Sequence, residues 1–110
     1  MVQIRKIANA EELNEFLSID VEKKHLLKFG AEWCGPCRVL EQTLHGLDAE
    51  KTKDVLFGEI SIDSDETENL ASDYKVRNIP VLIVFENNKE VTRAVGVQQE
   101  RAIYNLLGLE

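Results

Sequence analysis

The stretch that most constrains the fold is HLLKFGAEWCGPC, residues 25–37, where a short apolar run leads directly into two cysteines separated by Gly-Pro. The run HLLKFGA is typical of a buried strand. The segment that follows, CRVLEQTLHGLDAEK, has helical spacing at Val39, Leu40, Thr43, Leu44 and Leu47. The sequence therefore predicts a strand-to-helix junction with a C-x-x-C motif at the start of the helix.

The rest of the chain alternates between strand and helix patterns. MVQIRKI has the period of two of a half-buried strand, and NAEELNEFL predicts a helix in which Asn9 is the N-cap and Glu12 lies three residues later. DVLFGEISID predicts a strand, DSDETENLASDY a helix start, and PVLIVFE with EVTRAVG a hairpin turning at Asn-Asn. QQERAIYNLLG closes as a helix. The predicted order, β-α-β-α-β-α-β-β-α, indicates an α/β domain with a mixed sheet covered on both faces.

Composition restricts the function classes. No linker or repeat divides the sequence, so we expect a single domain over residues 1–110. Twenty acidic and thirteen basic side chains give a formal charge of −7, which would repel nucleic acid. MVQIRKIANAEELNEFL turns polar too early for a secretory signal, and no run approaches the roughly 18 apolar residues of a membrane helix. With two cysteines only, we expect a reducing compartment, the cytoplasm, and no membrane partner.

Cys34 and Cys37 are the predicted chemical centre. At a helix N-terminus the first thiol meets unsatisfied N–H groups and the positive end of the helix dipole, which stabilise the nucleophilic thiolate. The second thiol lies one turn further along, close enough to close a small ring. Pro36 fits the first turn, where its missing N–H costs nothing. This pattern predicts dithiol–disulfide exchange that needs no cofactor.

Other interpretations of these residues are weaker. A zinc site needs four ligands, and the chain offers the two cysteines plus His25 and His45 at no finger-like spacing, so no metal site is expected. A buried inert cysteine pair would not need Gly-Pro between its members. We expect both histidines to be surface or partly packed residues. The acidic DSDETE segment has no glycine at the turn position of a calcium loop.

AEWCGPC resembles the active-site signature of the thioredoxin family, and the resemblance continues in FGA, SID, VRNIPVLIVF and a late VG, over nearly the whole chain. It implies the thioredoxin fold, a central mixed five-stranded sheet flanked by four helices. It also implies a protein disulfide reductase in which Cys34 attacks and Cys37 resolves, leaving an oxidised Cys34–Cys37 pair. A monomer is expected, with disulfide-containing proteins as substrates and a thioredoxin reductase as a candidate partner.

The resemblance further implies an apolar substrate groove beside Cys34. Its expected members are Trp33, Gly35, Pro36, Ile79, Pro80, Val95, Gly96 and Val97. The bond between Ile79 and Pro80 is expected to be cis, so that Pro80 packs against the thiols and the backbone of Ile79 stays free to pair with substrate. A proline is tolerated at the start of a strand, and a cis bond before proline costs little.

The chain departs from the family pattern beneath the thiols. Lys28 stands where the family has a buried aspartate, and Glu59 stands where it has a lysine on the neighbouring strand. Each charge interrupts an apolar strand, and an isolated buried charge costs several kcal/mol, so we expect the two to pair. The alternative is that Lys28 reaches outward to water. The pair is a candidate for proton transfer with Cys37, or a purely structural ion pair. Gly30 replaces an aromatic residue, Gln42 a proline and Asn88 a glycine.

Two other functions remain open on the sequence. The chain could be a binding module that keeps the fold and uses the groove only for docking. It could also be a disulfide oxidase or isomerase, although Gly-Pro between the cysteines and the polar N-terminus argue against that. The reduction potential and the partner decide the direction of electron flow.

Overall fold

A computed structural model describes residues 1–109, and its elements follow the predicted order. The strands are β1 Ile4–Lys6, β2 Lys24–Gly30, β3 Val55–Ser61, β4 Val81–Glu86 and β5 Lys89–Val95. The helices are α1 Ala10–Ser18, α2 Gly35–His45, α3 Asp65–Asp73 and α4 Glu100–Leu106. The prediction of five strands and four helices in a mixed α/β arrangement is confirmed.

The five strands form one sheet in the order β1-β3-β2-β4-β5. β3 runs parallel to β1 and β2, whereas β4 is antiparallel to both β2 and β5. β2 is the central strand, and its register places Lys28 opposite Glu59 of β3. Because β2 and β3 are parallel, the segments that follow them leave the same edge of the sheet, which is where the cysteines lie.

Helices cover both faces of the sheet, as predicted. On one face Leu40 and Leu44 of α2 and Ile103 of α4 pack against Leu26 and other strand residues. On the other face α1 and α3 pack against the alternate strand residues, including Leu27, Phe29 and Ile83. Since side chains alternate along a strand, Lys28 lies on the same face as Leu26 and therefore under α2.

Local signals in the sequence fix several element ends. Asn9 caps α1, because its side chain accepts a hydrogen bond from the Glu12 amide at 2.8 Å. The turn of the last hairpin has positive φ at Asn87 (52°) and Asn88 (69°), a conformation that asparagine tolerates. α2 is shorter than its apolar pattern indicated, since the helix ends at His45 and Val39 faces solvent.

One expectation about the histidines is wrong. His25 is only 1% exposed, and its ring nitrogens lie 3.2 Å from the carbonyl oxygen of Lys23 and 2.7 Å from that of Ile19. The ring also meets Phe16 edge-on. His25 is thus a packed residue that holds the α1–β2 connection, while His45 is half-buried as expected. Within residues 1–109 no helix is long and apolar enough to cross a membrane.

Candidate active site

The two cysteines lie where the chain passes from β2 into α2. Cys34 is the N-cap of α2, and its Sγ accepts a hydrogen bond from the Cys37 amide at 3.2 Å. Pro36 occupies the first turn, as predicted, and the two sulfurs form a disulfide with Cα atoms 5.3 Å apart. Donation of an N–H to Sγ, together with the helix dipole, stabilises negative charge on the first sulfur.

The two sulfurs differ in their access to solvent. Cys34 is 7% exposed and Cys37 is 1% exposed, and both pack against Ala31, with Ile62 and Ile79 alongside. An incoming disulfide can therefore approach Cys34 more readily than Cys37. Because so little of either cysteine is exposed, an incoming disulfide has only a narrow approach to Cys34.

Three of the predicted groove residues are exposed apolar side chains. Trp33, next to Cys34 in the sequence, is 70% exposed, and its indole N–H donates to Asp63 Oδ1 at 3.0 Å, which anchors the ring. Asp63 was not singled out from the sequence, because a single acid in an acidic segment carries no signal of its own. Val95 and Val97 are also exposed, at 60% and 40%.

The segment before β4 packs against the cysteines. The Ile79–Pro80 bond is cis, as predicted, with Pro80 buried and Ile79 half-buried against the thiols. The Gly96 amide donates to the Pro80 carbonyl at 2.8 Å, and the positive φ of Gly96 (93°) suits glycine. Gly35 and Pro36 are exposed at the start of α2. Of the predicted groove residues, Ile79 packs against the two cysteines and Gly96 is bonded to Pro80, while the groove as a whole and its role in binding remain a prediction.

Beneath the disulfide, Lys28 is paired as expected. Its side chain is 6% exposed, and Nζ lies 3.4 Å from Glu59 Oε1, so the alternative of an outward-reaching lysine is wrong. A second carboxylate, Glu41 of α2, lies 3.6 Å from the same Nζ. Glu41 was not among the site residues predicted from the sequence. Its only signal was its position one helical turn after Cys37, on the side of α2 that faces the sheet.

A cleft of about 610 Å³ opens over these charges on the side of Cys37. Its lining includes Lys28, Cys37, Glu41 and Glu59. Gly30 lies between the charges and the thiol: a Cβ at this position would lie 3.1 Å from Cys37 Sγ and 3.4 Å from Lys28 Cε. Cys37 Sγ and Lys28 Cε are therefore at most about 6.5 Å apart. Among residues 1–109 no cluster of three or more His, Cys, Asp or Glu side chains could hold a metal ion.

Comparison with known proteins points to one family. The family model for thioredoxin matches residues 5–108. A thioredoxin from Chlamydia caviae is 38% identical over 102 residues, which cover 93% of this chain and 94% of the relative. A thioredoxin from Mycoplasmoides gallisepticum is 32% identical over 104 residues, covering 94% and 99% of the two chains.

Solved structures give the same result. The crystal structure of Fasciola hepatica thioredoxin superposes with a TM-score of 0.84 at 27% identity, covering 96% of this chain and 97% of that one. A thioredoxin mutant from Halobacterium salinarum superposes with a TM-score of 0.82 at 31% identity, covering 96% and 88%. The likeness therefore extends over both the sheet and the disulfide-bearing helix.

Proposed function

This chain belongs to the thioredoxin family and is a thiol–disulfide oxidoreductase, and from that premise we propose that Cys34 is the attacking thiol of a protein disulfide reductase. The observation that carries the assignment is the position of Cys34 as the N-cap of α2, with the Cys37 amide donating to its sulfur. That environment favours the thiolate, which is the species that attacks.

The reaction proceeds in two exchanges. The Cys34 thiolate attacks one sulfur of the substrate disulfide, so that a mixed disulfide forms and the other substrate sulfur leaves as a thiolate. Cys37 then loses its proton and attacks Cys34 Sγ, releasing the second substrate thiolate. The substrate gains two electrons, and the protein ends with the Cys34–Cys37 disulfide.

We assign the deprotonation of Cys37 to the charges beneath it. Lys28 would stabilise the thiolate electrostatically, and Glu59 would accept the proton as a general base. The support is geometric: Lys28 and Glu59 are paired at 3.4 Å and line the same cleft as Cys37. An ion pair that serves stability alone is the competing interpretation, because such pairs also occur without catalytic roles.

The groove accounts for the choice of an extended protein segment as substrate. Trp33, Val95 and Val97 offer exposed apolar surface, and Ile79 packs against the cysteines. An extended chain could pair with the Ile79 backbone as an added strand would. A Cβ at Gly35 or Gly96 would meet no atom within 4 Å, so these two positions leave room for its close approach.

The physiological setting completes the proposal. The protein acts as a monomer in the cytoplasm, on disulfides of other proteins, and a thioredoxin reductase returns it to the dithiol state. The presence of only two cysteines in the sequence supports a reducing compartment.

Labelling and trapping test the roles of the two thiols. Alkylation of the reduced protein at neutral pH is expected to label Cys34 first. Cys37→Ser is expected to accumulate a mixed disulfide with an insulin chain, whereas Cys34→Ser reduces no insulin. Preferential labelling of Cys37, or trapping by Cys34→Ser, would reverse the assignment.

Equilibration with glutathione buffers of defined ratio tests the direction of electron flow. A reductase is expected to stay largely oxidised in buffers that reduce an oxidase, because its own disulfide is the harder one to reduce. An oxidase or isomerase would be reduced in those buffers. A docking module would bind peptides in the groove yet leave insulin disulfides intact at any ratio.

A further inference from the structure

Lys28 is shared between two carboxylates rather than bonded tightly to one. Its Nζ lies 3.4 Å from Glu59 Oε1 and 3.6 Å from Glu41 Oε1, whereas a charge-assisted N–H···O bond spans about 2.7–2.9 Å. Glu59 approaches from the adjacent strand β3 and Glu41 from the overlying helix α2. The ammonium is therefore held between the sheet and the helix that carries Cys37.

The sharing leaves Glu59 with unused capacity to accept a proton. Glu59 Oε1 is buried and has no hydrogen-bond partner among the described residues, although it lies within ion-pair distance of Lys28. A buried carboxylate oxygen without a hydrogen-bond donor is an energetically poor arrangement, and taking up a proton relieves it. Cys37, which must lose a proton in the resolving step, lines the same cleft.

We propose that Glu41 is a positioning residue for the resolving step: it draws Lys28 toward α2, so that Glu59 stays free to accept the proton of Cys37. This inference rests on the proposed function, in which Cys37 resolves a mixed disulfide on Cys34. Glu41 does not itself touch the reacting sulfurs in this role. It acts through Lys28.

Proton transfer from Cys37 to Glu59 moves negative charge within the cleft and leaves its total unchanged. Before transfer the cleft holds a thiol, an ammonium and two carboxylates; afterwards it holds a thiolate, an ammonium, one carboxylate and one carboxylic acid. Glu41 remains the counter-ion of Lys28 while Glu59 is protonated. The Cys37 thiolate then forms the bond to Cys34 Sγ, the mixed disulfide breaks, and the departing substrate thiolate takes a proton from water.

Other charged groups face the cleft and bear on any pH dependence. They are Lys6 from β1, Glu32 from the loop before α2, Arg38 from α2 and Asp63 from the loop after β3. His45 Nε2 lies 3.6 Å from Glu41 Oε2, so protonation of His45 adds a second cation on that side of Glu41. These side chains are unchanged in a variant that alters Glu41 alone, and among them His45 loses its contact with the carboxylate, so the difference between the two profiles reports on Glu41 together with its contact to His45.

The test is Glu41→Gln, which removes the charge and keeps the shape of a half-exposed side chain. The reduced protein is mixed in a stopped-flow instrument with an excess of an aromatic disulfide, dithiobis-nitrobenzoate. The first release of coloured thiolate reports attack by Cys34, and the second, first-order release reports resolution by Cys37. The second rate is measured from acidic to alkaline pH for both proteins.

In the variant, Lys28 is expected to close onto Glu59, which makes Glu59 a weaker proton acceptor. The resolving rate at neutral pH is then expected to fall by about tenfold, and its acidic limb to move to lower pH, while attack by Cys34 changes little. Glu41→Asp keeps the charge and is expected to restore part of the rate. Glu50→Gln, on an exposed side chain, changes the net charge equally and is expected to leave the profile in place.

Two results would overturn the role of Glu41. One is an unchanged resolving profile in Glu41→Gln. The other is a faster resolving step, which would mean that Glu41 acts by direct repulsion of the Cys37 thiolate. Thermal unfolding checks that the variants fold. If Glu41→Gln does not fold, Glu41→Asp takes its place as the test, and a resolving rate in Glu41→Asp equal to that of the parent would contradict the proposal. If the parent protein gives no second release, the proposed function fails instead.

Discussion

At the scale of single residues, the unusual feature is a lysine in the most buried strand of the sheet. Lys28 lies in an apolar run whose other members are almost inaccessible, and two carboxylates meet its side chain there. The sequence predicted one of these partners, since Glu59 interrupts a second apolar strand. It could not predict the other, because a glutamate on a helix surface is ordinary until the helix is docked on the sheet.

The three-member arrangement makes the consequences of mutation unequal. Lys28→Met leaves two carboxylates facing each other with no cation, so it is expected to destabilise the fold by about 3 kcal/mol. Glu59→Gln leaves Lys28 paired with Glu41 and is expected to cost about half as much. The double variant is expected to be more stable than Lys28→Met alone, because the buried Glu59 charge has gone. Urea unfolding of the two single variants and the double variant measures the coupling.

An exposed ion pair in the same chain provides the control for this comparison of single and double variants. Lys53 and Glu50 lie 3.1 Å apart with mostly exposed side chains, and such pairs are worth about 0–1 kcal/mol. Lys53→Met with Glu50→Gln is therefore expected to show little coupling. If the changes in unfolding free energy caused by Lys28→Met and Glu59→Gln also simply add, the contact between Lys28 and Glu59 does not contribute to stability.

At the scale of the elements, the side chain of Tyr104 links α4 to the loop after α2, in addition to the apolar packing of the helix on the sheet. The Tyr104 hydroxyl accepts from the Asp48 amide at 2.8 Å and donates to Glu100 Oε2 at 2.6 Å, which joins α4 to the loop after α2. Burial raises the pKa of Tyr104 above 10, and the bond to Glu100 raises it further. Because the folded pKa is raised, the phenol contributes stability below pH 10 that is lost as pH rises toward the folded value.

Tyr104→Phe is expected to have opposite effects in two pH ranges. Near pH 7 the variant loses the partner of the Asp48 amide, at a cost of about 1 kcal/mol. Above about pH 10 its stability is expected to fall less steeply than that of the parent, since one phenol no longer titrates. Urea unfolding from pH 7 to pH 11 measures both effects. Some slope remains, because burial also raises the pKa of Tyr74; identical slopes in the two proteins would contradict the role of Tyr104.

Most of the element-level structure could be predicted because each element carries its own periodicity and end signals. The Asn9 cap and the Asn-Asn turn were predicted from residues that act locally. The errors concern tertiary contacts: Val39 fits the apolar spacing of α2 yet faces solvent, and His25 is a polar residue that the α1–β2 connection buries. The C-x-x-C site was predictable for the same reason as the caps, since its chemistry depends on the first turn of one helix.

At the scale of the whole molecule, the excess of negative charge influences which substrates arrive fastest. A net charge of −7 on 110 residues attracts cationic segments and repels anionic ones before any contact is made. At low salt, a disulfide peptide flanked by lysines is expected to be reduced about tenfold faster than the same peptide flanked by glutamates.

Added salt separates this effect from contacts in the groove. The Debye length shortens from about 30 Å at 0.01 M to about 3 Å at 1 M, so the two peptides are expected to converge as salt is raised. Initial rates over this range measure the convergence, with a peptide flanked by serines as the neutral reference. A difference that persists unchanged at 1 M salt would have to come from specific contacts instead.

The anchoring of Trp33 to Asp63 also gives the protein a built-in optical probe. The chain has one tryptophan, which precedes Cys34 in the sequence, and the hydrogen bond to Asp63 holds its exposed indole in place. A disulfide quenches indole emission at short range, so the fluorescence of this single ring is expected to rise when the two sulfurs are reduced. The redox state can therefore be followed in real time without a label, a dye or a coupled assay.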